Sequence, residues 1–278
     1  MTDTTTTTDA DRALKAKHRA MWAQGDYAAV ASDIIPSLGV DLVGALGITR
    51  GQHVLDVAAG TGNAAIPAAE RGATVTASDL TPELLDIGQQ IAQQRGVTLD
   101  WRVADAEALP FDSGAFDTVM SCVGVMFAPH HQLTANELAR VCRSGGSIGL
   151  INWTPEGFIG QMFATMKPYA PPPPPGAQPP PLWGNEDHVR SLLEGQVRDL
   201  RAERRVVRVD QFGSPEEFVN YFKSKYGPTI SVYKFIGDDA EKAAALDADL
   251  TALVTRFSAG TGSTAVDWEY LLVTAKRN

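Results

Sequence analysis

The 278-residue chain has little cysteine and no excess of positive charge. It also has no long apolar run and no internal repeat. Its two cysteines, Cys122 and Cys142, form no CxxC pair. That argues against a disulfide framework and against a zinc site, so no metal is expected. Both thiols sit in apolar or mixed segments and read as reduced cysteines of a cytoplasmic protein. No segment approaches 18 consecutive apolar residues, which argues against a membrane partner. With 33 acidic against 24 basic residues the net charge is −9, which argues against nucleic acid as a partner. Arg198, Arg201, Arg204, Arg205 and Arg208 form the one basic cluster. Asp199 and Glu203 interrupt it, so it reads as a solvated strand face. The acidic, threonine-rich start lacks the basic and apolar parts of a signal peptide, and residues 1–10 read as a disordered tail.

What is present is an alternation. Two helical stretches come first, over 11–33 with a break at Gly25-Asp26, and over 33–46 ended by Gly47. Short apolar strands over 53–58, 74–78, 99–104, 116–123 and 147–152 then alternate with helices over 63–71, 82–95 and 134–142. Thr81 is placed as an N-cap, with Pro82 at the first helical position. Such alternation predicts an α/β fold, a Rossmann-like doubly wound parallel sheet.

After Trp153 the rhythm fails. Residues 154–200 hold Pro171 to Pro175 and Pro179 to Pro181, and proline runs cannot join a sheet. This insertion reads either as a spacer or as a stiff lid carrying aromatics to a pocket, since it leaves from the sheet edge where ligands bind. A strand over 203–212, a helix over 215–225 begun by Ser214, a helix over 238–258, a turn at Gly260-Thr261-Gly262 and a last strand over 266–275 complete the chain. The final pair of strands can form an antiparallel edge. The expected divisions are a helical cap (11–48), a cofactor-binding core (49–153), the proline-rich insertion (154–200) and the rest of the sheet (201–278).

The stretch VLDVAAGTGNAA at 54–65 puts a glycine turn directly after a strand. Glycines let a ligand press on the backbone beside a helix N-terminus. Asp79 follows Gly60 by 19 residues, where an acid at the second strand's end can accept both hydroxyls of a ribose. A nicotinamide dinucleotide and S-adenosylmethionine fit these two features equally. Three others favour S-adenosylmethionine. Asp56, just before the loop, would repel a pyrophosphate but suits an ammonium and a sulfonium. Asp105-Ala106, after the third strand, can read an adenine edge. The antiparallel last strand is the third.

In order and spacing, VLDVAAGTGNAA, VTASDLTPELL, RVADAEALPF, FDTVMSCVGVMFAPHH and RVCRSGGSIGLINW resemble the class I S-adenosylmethionine-dependent methyltransferases. The branch includes the quinone-biosynthesis C-methyltransferases and many small-molecule methyltransferases. The resemblance implies a seven-stranded sheet with an antiparallel last strand. It puts Asp56, Ala58, Gly60 and Gly62 around the methionine moiety and Asp79 on the ribose. Leu80 would lie beneath the adenine, Asp105 and Ala106 at its edge, and Ser121 and Val123 would line the site after strand four. An aromatic from the cap would close over the cofactor; Trp22 and Tyr27 are the candidates, with Trp22 alternatively beside the acceptor or in the core.

Methyl transfer is an in-line displacement, and a base is needed only when the nucleophile must lose a proton. His130 and His131 are the candidate bases; His18 and His188 read as surface residues. Met126, Phe127, Trp153, Phe158, Phe163 and Trp183 suggest an apolar or aromatic small-molecule acceptor, with O-methylation favoured. Tyr169, Tyr221, Tyr226 and Tyr233 could reach a pocket or serve packing. A nicotinamide-dependent oxidoreductase is the alternative enzyme, disfavoured by Asp56 and by the lack of a Ser/Tyr-xxx-Lys pair. A non-catalytic module binding S-adenosylmethionine or S-adenosylhomocysteine is the third reading. Monomer and homodimer are both compatible with the sequence.

Overall fold

A computed structural model describes residues 9–258 and 264–278. The tail expected over residues 1–10 lies outside them but for its last two positions, and so does the Gly260-Thr261-Gly262 turn. The strands are β1 (His53–Val57), β2 (Thr74–Asp79), β3 (Asp100–Val103), β4 (Phe116–Cys122), β5 (Cys142–Trp153), β6 (Val197–Val209) and β7 (Val266–Arg277). They form one seven-stranded sheet in the order β3-β2-β1-β4-β5-β7-β6. β7 runs antiparallel to both neighbours, pairing Trp153 with Tyr270 on one side and Val209 with Val266 on the other. The remaining pairings are parallel.

The helices are α1 (Asp9–Trp22), α2 (Tyr27–Ala29) running into a π turn (Val30–Ile34), α3 (Pro36–Leu46), α4 (Ala65–Glu70), α5 (Pro82–Gln94), α6 (His131–Val141), α7 (Phe158–Met166), α8 (Glu186–Leu192), α9 (Pro215–Lys225), α10 (Gly227–Ile236) and α11 (Ala240–Phe257). No single helix among the described residues is long and apolar enough to cross a membrane.

The central strands are apolar on both faces because helices cover both. Val54, Leu55 and Val57 are buried, as are Val119 and Met120 on β4. Gly47 ends α3 in the left-handed conformation, and the Ser214 side chain caps α9 by accepting the Glu217 N–H, both as the residue types require. Thr81 stands at the N-cap of α5, but its side chain makes no capping bond; the Asp79 carboxylate accepts the Thr81 N–H instead. α10 goes beyond the sequence reading. Gly227-Pro228 looks like a break, yet proline is tolerated in a first helical turn.

β6 is an edge strand starting at Val197, so a boundary at residue 200 falls inside it. Its arginines are largely exposed and paired: Arg204 with Glu269 at 3.0 Å, Arg208 with Asp267 at 3.1 Å and Arg205 with Glu203 at 2.8 Å. The basic cluster is a solvated strand face.

The proline-rich segment is anchored at its far end. Residues 171–176 are exposed, but a 3-10 turn (Pro180–Gly184) packs on β5 and buries Trp183 completely. A Cβ on Gly184 would come within 2.0 Å of the Trp153 carbonyl oxygen, so only glycine permits that approach.

Candidate active site

Strand order reverses its winding between β1 and β4, and ligands bind at the carboxyl ends of strands on either side of such a point. There the backbone is strained. Ala58 (φ 54°) and Val123 (φ 66°) end the two strands in left-handed conformation, which costs a non-glycine residue on the order of 1 kcal/mol or more. The two loops touch: a Cβ on Gly124 would lie 2.0 Å from the Ala58 carbonyl oxygen.

A cleft of about 680 Å³ opens at this point. Of the residues anticipated for a cofactor, Tyr27, Ala58, Gly60, Asp79, Leu80, Asp105 and Ala106 line it. Tyr27 lies against the glycine loop, its Cε1 3.4 Å from where a Gly60 Cβ would stand. Asp79 ties two loops together, accepting the Gly60 N–H and the Thr81 N–H at 2.8 Å each. Burial pushes its carboxyl above the ordinary value, against the pull of these N–H groups.

The other four stand elsewhere. Asp56 is only 1% exposed and does not line the cleft, and neither carboxylate oxygen has a hydrogen-bond partner. Burial pushes its carboxyl up to about 8, opposed by the nearby Ala65 N–H, whose geometry falls short of a full hydrogen bond, and reinforced by the charge of Asp79. Gly62 faces Trp101 and Ile66. Ser121 is buried, its Oγ accepting the Val125 N–H at 3.1 Å. Val123 lines a second cavity.

That cavity, about 310 Å³ with the solvent at its mouth included, adjoins the cleft and shares Tyr27 and Phe127 with it. Trp153, Phe222, Tyr226 and Trp268 supply its other aromatic walls. Of the anticipated acceptor residues, Phe127 and Trp153 line it. Trp22 lines the cofactor cleft instead, 4.6 Å from Phe127 and 5.4 Å from Tyr27 between ring centroids. Met126 is fully buried, Phe163 packs behind Phe127 at 5.9 Å, and Trp183 packs on His131 at 5.5 Å; these three line neither cavity. Phe158 is core, stacked on Trp268.

Neither candidate base lines either cavity. His130 is held by Glu107, which accepts its backbone N–H at 2.7 Å and meets its Nδ1 at 2.9 Å. His131 is fully buried at the start of α6, its Nδ1 3.0 Å from His188 Nε2.

Two titratable lining residues escaped the sequence reading. His18, read as surface, lines the cleft, and burial pushes its imidazole down. Lys15, 8% exposed, joins α1 to the loop after β3 through Asp105 and Glu107. A lysine on an amphipathic helix carries no signal of a partner 90 residues away. Of the four tyrosines left open, only Tyr226 reaches a cavity; Tyr169, Tyr221 and Tyr233 bond Asp249, Asp33 and Asp247.

Residues 54–146 match the methyltransferase domain family. An uncharacterised protein of Mycobacterium tuberculosis is 52% identical over 98% of both chains. The demethylmenaquinone methyltransferase of Thermus thermophilus is 37% identical over 37% of this chain and 48% of its own. The fold matches a phosphoethanolamine N-methyltransferase of Haemonchus contortus, solved with phosphomonomethylethanolamine and S-adenosylhomocysteine (TM-score 0.53, 15% identity, 86% of this chain and 52% of that one). The cofactor of this family is S-adenosylmethionine, and the site suits it. A buried carboxylate without a partner lies by a glycine loop, and a cationic ligand is what such a carboxylate needs. The chain belongs to the class I S-adenosylmethionine-dependent methyltransferases.

Proposed function

We propose that the protein transfers the methyl group of S-adenosylmethionine to a small apolar or aromatic acceptor, with oxygen as the favoured nucleophile. The observation that carries this reading is the second cavity, walled by aromatics and joined to the cofactor cleft through Tyr27 and Phe127. Small-molecule sites are concave and mostly apolar in this way. When bound, S-adenosylmethionine supplies a methyl group on a good, neutral leaving group, so alignment is the main task left to the protein.

Ala58 and Gly60 would carry the methionine moiety, with Asp56 buried behind the loop as its counter-charge. Asp79 would accept the ribose hydroxyls through the lone pairs that the Gly60 and Thr81 N–H groups leave over. Leu80, Asp105 and Ala106 would hold the adenine, with the Asp105 carboxylate shared with Lys15.

Calorimetric titration tests the reading. S-adenosylmethionine and S-adenosylhomocysteine are expected to bind and NAD to give no heat. Asp79→Ala is expected to weaken binding about tenfold or more through lost charge-assisted hydrogen bonds. Incubation with labelled methyl donor and a panel of phenols, quinols and carboxylates should label an oxygen. Labelling only of amines or carbon acceptors would refute the preference for oxygen.

A further inference from the structure

The second cavity is defined as much by its charge as by its shape. None of its lining side chains is charged, and its walls are Val30, Ile35, Phe127, Trp153, Phe222 and their neighbours. Its polar equipment is two phenols and the two indoles of Trp153 and Trp268. Tyr27 comes from the cap and Tyr226 from the junction of α9 and α10, nearly 200 residues later in the chain. Trp22 sits between them, its ring centroid 5.4 Å from Tyr27 and 5.9 Å from Tyr226. Among the described residues no hydrogen bond reaches either phenol oxygen, and the Trp268 N–H is buried without a partner. Tyr27 and Phe127 belong to both cavities, and Tyr27 also lies on the Gly60 loop, so its ring stands where cofactor and acceptor meet.

All four groups can donate a hydrogen bond, and nothing in the lining is a strong base. Burial holds both phenols well above their ordinary ionisation, so each keeps its proton. The titratable groups facing Tyr27 are Cys122 and Asp79, and Tyr226 faces Tyr27; each raises its neighbour further. Cys122 faces Asp56 and Asp41, and burial keeps its thiol protonated too.

A chamber with donors, no base and no cation suits an acceptor that arrives already ionised. Resting on the methyl-transfer reading above, we propose that Tyr27 and Tyr226 hold the acceptor oxygen through their O–H groups, and that the acceptor is a flat, apolar phenol or enol acidic enough to bind as its anion. The acceptor's proton goes to water before binding. An oxygen lone pair then forms the O–CH3 bond as the S–CH3 bond breaks. The bonding pair stays on sulfur, so an anion and a sulfonium become a neutral ether and neutral S-adenosylhomocysteine. The apolar walls favour this step. Charge disappears along it, and a medium of low dielectric strengthens the attraction that drives it. The same walls explain how an anion is tolerated without a lysine or arginine: its counter-ion is the sulfonium.

The test uses para-nitrophenol, an acidic phenol whose anion is yellow, with the full-length protein. Sinefungin serves as an inert analogue carrying a cationic amine in place of the sulfonium, and S-adenosylhomocysteine as the neutral control. With sinefungin bound, the dye is expected to bind as its anion, with its ionisation midpoint lowered by about one pH unit, a tenfold change in ratio. The shift should be smaller with S-adenosylhomocysteine. Tyr226→Phe and Tyr27→Phe keep the rings, and each should remove most of the shift; unchanged melting temperatures would show that packing survives. Tyr226→Phe should leave sinefungin affinity unchanged. If the dye binds as the neutral phenol, fails to bind while sinefungin binds, or shifts equally in the variants, the proposal is overturned and the methyl-transfer reading stands. If sinefungin and S-adenosylhomocysteine both fail to bind, that reading falls and the proposal with it.

Discussion

Lys15 on α1 places its Nζ 2.9 Å from the Asp105 carboxylate on the loop after β3. It also bonds Glu107, which in turn holds His130. One buried ammonium thus fastens the helical cap across the Asp105 end of the cleft. Burial opposes that charge, but the hydrogen bonds it donates to Glu107 and Asp105 outweigh this, and the lysine's pKa is raised.

Lys15→Met should therefore do more than remove an ion pair. It leaves Glu107, whose side chain is 5% exposed, as an uncompensated buried acid. The expected cost is about 3 kcal/mol of stability, read by denaturant unfolding. S-adenosylmethionine affinity should fall as well, because α1 lines the cleft through Lys15, His18 and Trp22. Wild-type stability in the variant would show that the cap is held by other contacts.

Asp56 gives a pH dependence with a definite sign. Its carboxyl is pushed up to about 8 by burial, whereas in the unfolded chain it ionises at an ordinary aspartate value. Between those values the folded protein holds the extra proton, so this residue's contribution to stability falls as pH rises towards 8. Asp56→Asn should raise the melting temperature of the cofactor-free protein at pH 8, with the gain shrinking towards pH 5. Cofactor affinity should move the other way. In the wild type it should climb from pH 6 to 8 as the carboxyl ionises, and in the variant this climb should be lost. Calorimetry across pH measures both.

The buried imidazole pair acts at the acid end. Burial pushes His131 down to about 4, and the neighbouring His188 and His130 add to the effect; burial lowers His188 too. The unfolded chain binds these protons first, so stability is lost as pH falls from about 6.5 towards 4. His131→Leu should flatten that loss in thermal melts. At pH 7.5 it should cost about 1 kcal/mol for the hydrogen bond to His188. Methyl transfer should survive, since His131 lines neither cavity; its abolition would restore a catalytic role for this histidine.

Gly184→Ala tests whether the proline-rich insertion is structurally seated. The new methyl would press on the Trp153 carbonyl, forcing the turn off β5. An overpacking cost of about 1–3 kcal/mol is expected in thermal or denaturant unfolding. Because Trp153 also walls the second cavity, acceptor KM should rise more than cofactor Kd.

Much of the fold could be read from local pattern. The glycine turn after β1, the acid ending β2 and the Asp105-Ala106 step after β3 each follow from a strand ending where a ligand approaches. Seven of the proposed cofactor residues accordingly line one cleft. The misplacements share a cause. Met126 and His131 were placed by nearness in sequence to a strand end, and Trp183 by its place in the proline-rich insertion. Around a helix start or a 3-10 turn, one residue step rotates a side chain by roughly a third of a circle, so nearness says little about direction.

The sequence by itself determined the alternation of elements, the glycine loop and the acids that flank it, because these are written in short-range periodicity and in the backbone freedom of single residues. Only the tertiary structure decided that Lys15 closes on Asp105 and that Tyr226 faces Tyr27 across an aromatic chamber. It also turned His131 inward to meet His188. Those partners lie 90, about 200 and 57 residues apart. Contacts across such distances depend on how whole elements pack, a collective outcome that no single stretch of chain encodes.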